Sequence, residues 1–378
     1  MSVEIRVVEA LATIAAPAWD ALAGAHPFLR HGFLHGLEAS ACLAPQGWYP
    51  QHLTAWAGGR LVGAMPLYLR DNSYGEFVFD WSWADAYERA GGRYYPKLTT
   101  AIPFSPVSGP RLLLAADAPP GVAAQLVEHA RALCDANRLS SWHCLFPPAG
   151  ELPIYAEAGL LPRAGCQYHW FNRDFADFDA FLAILNAKRR KQIKRERRLV
   201  AEHELTIEVL SGDAIEADHW TVFHRFYCST FARKWGEPRL TEDFFQQLNQ
   251  RLPNSALLIL ARAGTRYVAG AFALHGGGIL YGRHWGCRAH YDQLHFELCY
   301  YRTIEYCIAH GLRALDAGAQ GEHKLARGFE PVATWSVHWI RDPRLRRAVD
   351  DFLRHERAAM EEHMQALSRH VAFRHEPS

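Results

Sequence analysis

The chain has no Cys-x-x-Cys pair; its eight cysteines are scattered over 378 residues. That spacing excludes a zinc cage built on such pairs and speaks for reduced thiols rather than a disulfide framework. Histidine is frequent, at 21 residues, yet no His-Glu-x-x-His or His-x-His spacing occurs. His290 and His295 lie five apart and His284 sits in a separate run, so no resident metal ion is expected. Charge of one sign is also missing. The net charge of +1 gives no global field to gather nucleic acid or membrane, which leaves such contacts to a local patch. No apolar run reaches transmembrane length, and no basic-then-apolar leader opens the chain. These absences give the expectation of a cytoplasmic protein without a transmembrane segment.

What the chain does hold is apolar and aromatic: 49% hydrophobic residues, with 12 Trp, 15 Tyr and 20 Phe. That supports large cores and leaves rings to line a pocket. The length suggests about two domains, and a hidden duplication agrees with it. An alternating run, Val3 to Val8, precedes a helix-like stretch with Trp19; Leu205 to Leu210 precedes one with Trp220. Leu53 to Leu69 around Gly58-Gly59 reads as a hairpin, and so does Leu257 to His275 around Gly264-Thr265. The helix end at Leu133–Leu139 has its counterpart at Tyr306–Leu312. Gly159 to Trp170 and Gly328 to Trp339 then keep Gly, Pro, Ala, His and Trp in register. The ordered series of matches reads as two copies of one α/β unit. The expected division is 1–173 for the first copy, 174–203 for a joining helix, 204–342 for the second copy and 343–378 for a C-terminal helix and tail.

The copies differ at one loop. The second has Gly318-Ala319-Gln320-Gly321-Glu322-His323-Lys324 leading to Arg327 and Gly328, where the first has Phe146 to Glu151. Glycines permit close backbone approach, and mixed charges beside them suit a site at a strand end. The plainer reading is a glycine-rich loop with a charged first helical turn. In the first copy, Tyr74 to Tyr87 places Asp80 and Asp85 among aromatics, followed by Tyr95 and Lys97. The second copy has His284-Trp285 in the matching place, then His295-Phe296-Glu297. Rings with a few fixed charges describe a pocket for a small polar substrate, although any one of these residues could equally be core or solvated. Glu297 sits near the start of a Leu294–Ile308 helix, where a carboxylate suits the dipole. It is also a candidate general base for an ammonium acceptor, with Glu322 and His323 as rivals. Lys324 and Arg327 are candidates for holding a phosphate, a carboxylate or a carbonyl oxyanion. Gln320 and Gly321 join them as donor-binding candidates.

Phe178 to His203 reads as one helix, with no Gly or Pro inside. Its stretch Lys188 to Arg198 carries eight cations and one Glu. Such a run is either a solvated linker helix or an anion contact through residues such as Arg190 and Lys194, for a phosphate-bearing donor, tRNA or acidic lipid. Pro343 to His370 reads as a C-terminal packing helix, with Val349, Phe352, Leu353, Met360, Met364 and Leu367 approximating its buried face.

With these residues in place, the chain resembles the FemAB-like members of the GNAT-related acyltransferases, over nearly its whole length. The resemblance is carried by the duplicated unit, the basic helix, Tyr74–Tyr87, Tyr94–Lys97, Pro103–Arg111, His295–Tyr301 and Gly318–Phe329. It implies a bacterial protein of α/β (α+β) class with tandem duplicated GNAT folds. It also implies transfer of an acyl or aminoacyl group to a small amine or peptide-like acceptor, with acyl-CoA or aminoacyl-tRNA as co-substrate and no permanently bound cofactor. GNAT acetyltransferases cradle the CoA pyrophosphate with a Q/R-x-x-G-x-G/A turn; the corresponding Cys287 to Leu294 lacks its glycines. The rival reading from another class is a non-catalytic GNAT-fold protein docking on RNA or anionic membrane through the basic helix.

Overall fold

The computed structural model describes residues 2–232, 236–318, 321–369 and 371–373. The chain divides into two compact units, one of Met1–Cys166 with Ala333–His363 and one of Gln167–Val332 with Met364–Ser378.

In the first unit, His52–Ala57 and Arg60–Met65 form the expected hairpin, with Gly58 and Gly59 at φ 57° and 80° in its turn. Val3–Val8 pairs with one edge and Leu113–Leu114 with the other. The helix Val122–Ala136 lays Val122, Leu126, Ala130 and Cys134, at fourfold spacing, into a core with Leu53, Val62, Trp142 and Tyr155. A second ladder joins Trp48–Pro50, Tyr68–Arg70 and Lys97–Thr100, then turns parallel at Ser141–Leu145.

The second unit repeats this plan. Thr206–Ser211, Ala256–Ala263, Arg266–Gly276 and Ile279–Cys287 form an antiparallel ladder. Ala256–Ala261 is an unbroken buried apolar run, as a strand covered on both faces should be. Ile279–Tyr281 then runs parallel to Ala314–Asp316. Helix Ala217–Ala232 packs Trp220 and Phe223 around Phe245 and Phe272.

Each unit takes its last strand from the other copy. Ser336–Ile340 pairs with Ser141–Leu145, placing His338 opposite His143. His169–Phe171 pairs with Ala314–Asp316, placing His169 opposite Asp316. The sequence division kept Leu161–Phe171 in residues 1–173 and Glu330–Ile340 in 204–342. Strand register therefore divides the chain differently from sequence order, which carries no record of which partner a strand end selects.

The expected Phe178–His203 helix is two helices, Phe178–Ile184 and Ala187–Ala201. Leu185 is extended between them and bridges Phe373. Asn186 caps the basic helix by accepting a 3.0 Å hydrogen bond from the Arg189 amide. The C-terminal helix spans Pro343–Ser368, with Val349, Leu353 and Leu367 buried. Phe352, assigned to the same face, is 46% exposed.

Candidate active site

The second unit holds a cavity of about 100 Å³ where its two parallel strands stop pairing. Their ladder covers only Ile279–Tyr281 and Ala314–Asp316. Beyond it, Gly282, Arg283, His284 and Trp285 line the cavity. A register shift opposite Phe272 and Ala273 leaves Arg283 with no facing residue. Such a bulge re-aims side chains, which allows four consecutive strand residues to share one wall. Crevices at the carboxyl ends of parallel strands are the ordinary ligand sites of such sheets.

The facing wall is the helical segment Leu294–Ala309, whose middle, Glu297–Tyr301, is a π-turn. Single π-turns recur at functional sites. This one places His295, Cys299, Tyr300 and Thr303 on the cavity. His284 packs against Tyr227 and stacks on Phe272. Burial first, then Arg283, holds the His284 imidazole well below its usual range, so the ring is neutral. Cys299, Tyr300 and Thr303 were not among the sequence candidates, unlike His295, which the sequence groups with the pocket rings. Their spacing alone looks like a helix face, and the extra residue of the π-turn decides which side chains reach the wall.

The glycine-rich stretch lies next to this cavity, whose wall includes Ala317. Residues 322–327 form a 3₁₀-helix. Gly321 sits at φ +109°, where a side chain is strained, and a Cβ there would strike the His323 ring. His323 shares a 3.0 Å hydrogen bond with the Tyr300 hydroxyl. Burial, Arg327 and Lys324 lower its pKa below the ordinary histidine value. Glu322 is exposed. Gln320 lies outside the described residues.

Lys324 and Arg327 are turned inward. The Lys324 ammonium donates to the Ala317 and Gly318 carbonyls at 2.7 and 2.8 Å. Burial draws its pKa down to about 8, against the pull of Asp316. Arg327 pairs with Glu196 at 2.8 Å, donates to the Tyr301 hydroxyl at 3.0 Å and lies over the Phe296 ring. Both cations are engaged inside the protein and brace the loop. Glu297 is 2% exposed and is held by Arg197 at 3.1 Å and Arg302 at 2.8 Å. Arg197 also pairs with Glu305 at 2.6 Å. Glu297 does not line the cavity.

The basic helix is partly answered from within. Its Glu196 is buried and serves Arg327 and Tyr301 rather than the surrounding cations. Arg190 donates to the Leu185 carbonyl at 3.1 Å, and Lys194 lies 3.7 Å from Asp179. Lys188, Lys191 and Arg195 are exposed and form no ion pair among the described residues.

Asp80 and Lys97 belong to a separate cluster in the first unit. Lys97 is fully buried and bonds Ser73, Glu76 and Asp80 at 2.8, 2.8 and 2.6 Å. Asp80 also accepts from the Tyr94 hydroxyl at 2.8 Å, and Arg70 pairs with Glu76 at 3.2 Å. His143 lies 3.5 Å from Asp80 and shares a 2.7 Å hydrogen bond with His338. Burial opposes the Asp80 charge, but Lys97 holds its carboxyl below the usual range. Burial, with Lys97, draws His143 down to about 3. The cluster is internally paired and shut from solvent. Tyr95 joins its edge through Ser73, at 2.9 Å. Asp85 is exposed and pairs with Arg89 at 2.8 Å, while the Tyr87 ring packs against Gly92.

Among the described residues, no group of three His, Cys, Asp or Glu side chains is placed to hold a metal ion, and no helix is long and apolar enough to cross a membrane. Residues 10–375 match the model of a family described as peptidoglycan biosynthesis/recognition. No curated protein matches the chain. Among solved structures the chain is similar to FemX, at 12% identity and a TM-score of 0.56, over 93% of this chain and 100% of that one. It is also similar to the C-terminal domain of a putative lysylphosphatidylglycerol synthetase from Agrobacterium fabrum, at 10% identity and a TM-score of 0.54, over 91% and 97%. A third is L-PGS from Bacillus licheniformis, at 9% and 0.51, over 90% and 96%. At these identities the likeness is one of fold.

Proposed function

The chain belongs to the FemAB-like family, with two GNAT-type units in tandem; from that premise we propose that it forms an amide by transferring an acyl or aminoacyl group to an amine. Family and fold support a transferase. The observation that carries the finer reading is the second unit's cavity at the split parallel pair, with a lowered-pKa histidine one hydrogen bond from its wall. An extended donor arm would lie along Gly282–Trp285, where the strand has left its parallel partner. The donor carbonyl would sit near Tyr300.

Amide formation needs a neutral amine and a place for its proton. His323 serves that need because it is uncharged near neutrality and is oriented by Tyr300. Glu297 is instead a positioning residue, fixing the basic helix through Arg197. Glu322, exposed as His323 is, is a less constrained rival base, while His323 is held by Tyr300. The donor is an acyl-CoA or an aminoacyl-tRNA, and the acceptor a small amine or peptide-like molecule. Two observations weigh against a CoA pyrophosphate at the start of the Leu294 helix. Gln293 takes the left-handed conformation there at φ 65° without being glycine. The Leu294 and Phe296 amides already bond the Tyr291 and Gln293 carbonyls, at 3.3 and 3.0 Å. The exposed Lys188, Lys191 and Arg195 favour a polyanion contact, as a tRNA-borne donor or an acidic lipid would give, and this also suits the non-catalytic docking reading.

Native mass spectrometry with a panel of acyl-CoAs and charged tRNAs tests the donor. Turnover of His323→Ala with the donor so found tests the base. The reading expects a bound donor and loss of transfer; failure of every donor to bind, or full activity of the variant, overturns it.

A further inference from the structure

The second unit carries another groove, of about 570 Å³, that shares no lining residue with the cavity above. Three arginines line it, and each comes from a different element. Arg225 sits on helix Ala217–Ala232, on one face with Val222, Phe226 and Ser229 at helical spacing. Arg266 opens the strand Arg266–Gly276, just after the turn at Gly264-Thr265. Arg288 follows the strand Ile279–Cys287, and its amide donates to the Val268 carbonyl at 2.8 Å, which sets it beside the start of Arg266's strand. All three are exposed, and none forms an ion pair among the described residues. No Asp or Glu lines the groove. Glu208, which the Tyr267 hydroxyl reaches from the groove wall, is already engaged: it accepts from Tyr267 at 2.7 Å and pairs with Arg262 at 3.0 Å. The groove beside the basic helix has the same volume and a different balance. Its Lys194 has Asp179 at 3.7 Å, and its Arg197 has Glu305 at 2.6 Å. There each cation is answered by a carboxylate within the fold. Here three guanidiniums face one space and repel one another until an anion enters.

We propose that Arg225, Arg266 and Arg288 bind the diphosphate of a small organic diphosphate ester. A guanidinium is a planar fork that meets phosphoryl oxygens with two parallel hydrogen bonds. Three such charges outnumber that of one phosphate dianion and match that of a diphosphate monoester near neutrality. The arginines reach one groove from three elements rather than lying along a line, which suits a compact anion over an extended nucleic-acid backbone. Val222, Phe226 and the Tyr267 ring supply an apolar wall beside them for the organic part, in a groove of ordinary small-ligand size. Tyr267 is fixed there by its bond to Glu208 and by the His219 ring, edge-on with centroids 6.0 Å apart. The site uses none of the residues assigned to the transfer reaction and does not rest on that reading.

The test is calorimetric titration of the full chain with inorganic phosphate, inorganic pyrophosphate, ADP and geranyl diphosphate. Pyrophosphate should bind about tenfold or more tighter than phosphate. At least one ester should bind tighter still; a gain with ADP marks a nucleoside as the organic part, and a gain with geranyl diphosphate an isoprenoid. Arg225→Ala, Arg266→Ala and Arg288→Ala should each weaken pyrophosphate binding by about tenfold or more. Arg288→Lys, which keeps the charge and loses the fork, should fall between. Arg347→Gln, which removes an exposed cation elsewhere, should leave binding within about twofold. The unfolding midpoint should stay in place in every variant, because these side chains are exposed. Pyrophosphate bound no tighter than phosphate, no gain with either ester, or an equal loss in Arg347→Gln overturns the proposal. So does an RNA oligonucleotide that displaces pyrophosphate from these arginines and binds more tightly than both esters, since the groove is then a nucleic-acid contact.

Discussion

The two units place a histidine-bearing strand pair at the same point of the same plan and use it differently. In the first, His338 faces His143, and the pair is shut in with Asp80, Lys97 and Tyr94. In the second, His169 faces Asp316, whose Oδ1 accepts from the Gly318 amide at 2.8 Å. There the strand runs straight into the glycine-rich loop and the cavity. The equivalent strand of the first unit, Ser141–Leu145, runs instead into residues 146–151, and fully buried Arg111 donates to the Leu145, Gly109 and Val107 carbonyls at 2.7, 2.9 and 2.8 Å. One strand end is closed by a buried arginine. At the other, Lys324 takes up the Ala317 and Gly318 carbonyls, and the neighbouring strand residues Gly282–Trp285 line a cavity. A polar cluster is therefore not a site merely because it is polar: pairing inside the fold decides whether it can do work on something else.

The comparison predicts that the first cluster answers in stability and the second in turnover. Lys97→Ala strands Glu76 and Asp80 as buried carboxylates and should cost about 3–5 kcal/mol in urea unfolding; a stable but inactive variant would instead make Lys97 a site residue. His323→Ala should slow transfer by about 10²–10⁴-fold and leave the unfolding midpoint nearly in place. Its acid limb should sharpen the point. With the His323 pKa below the usual 6.5, activity should persist on acidification past that value, then fall as the base is protonated.

A smaller effect comes from His143 and His338. His143 is held at about 3 and His338 well below its usual value. The unfolded chain thus binds protons that the folded one does not. Their contribution is whole above about pH 6.5 and shrinks as pH falls toward the folded values, by at most about 1.4 kcal/mol per pH unit for each ring. Unfolding free energies measured from pH 7 to 4.5 should slope accordingly, and His143→Gln should flatten the slope. Least of all, Lys188→Gln, Lys191→Gln and Arg195→Gln should shift stability by no more than about 0.5 kcal/mol. In tRNA binding, the same changes should lower the salt dependence; an unchanged slope would return the helix to a solvated linker.

Much of this was legible in advance. Alternation, hairpin turns and the helix ends gave both copies, because those signals are local and each element carries its own. The basic helix was legible as charge, but its start was not, although Asn186 is a capping residue in plain view. The apolar stripe continued across Leu185 and concealed the break. The cavity was half legible: His284, Trp285 and His295 stood out by type, as did His323 beside it. Cys299, Tyr300 and Thr303 did not, because a π-turn leaves no residue signature and alters which faces align.

By itself, then, the sequence determined the repeated strand and helix order, the apolar cores and the stretches rich in polar groups. Tertiary structure alone decided that the last strands change partners, that Lys97, Asp80, Lys324 and Arg327 point inward, and that Glu297 is clamped between arginines. The physical reason is the range of the forces. Propensity and periodicity act over a few residues, whereas a buried charge is settled by whichever counter-charge the whole fold brings within about 3 Å. Glu196 and Arg327, far apart in sequence and 2.8 Å apart in space, are one such pair.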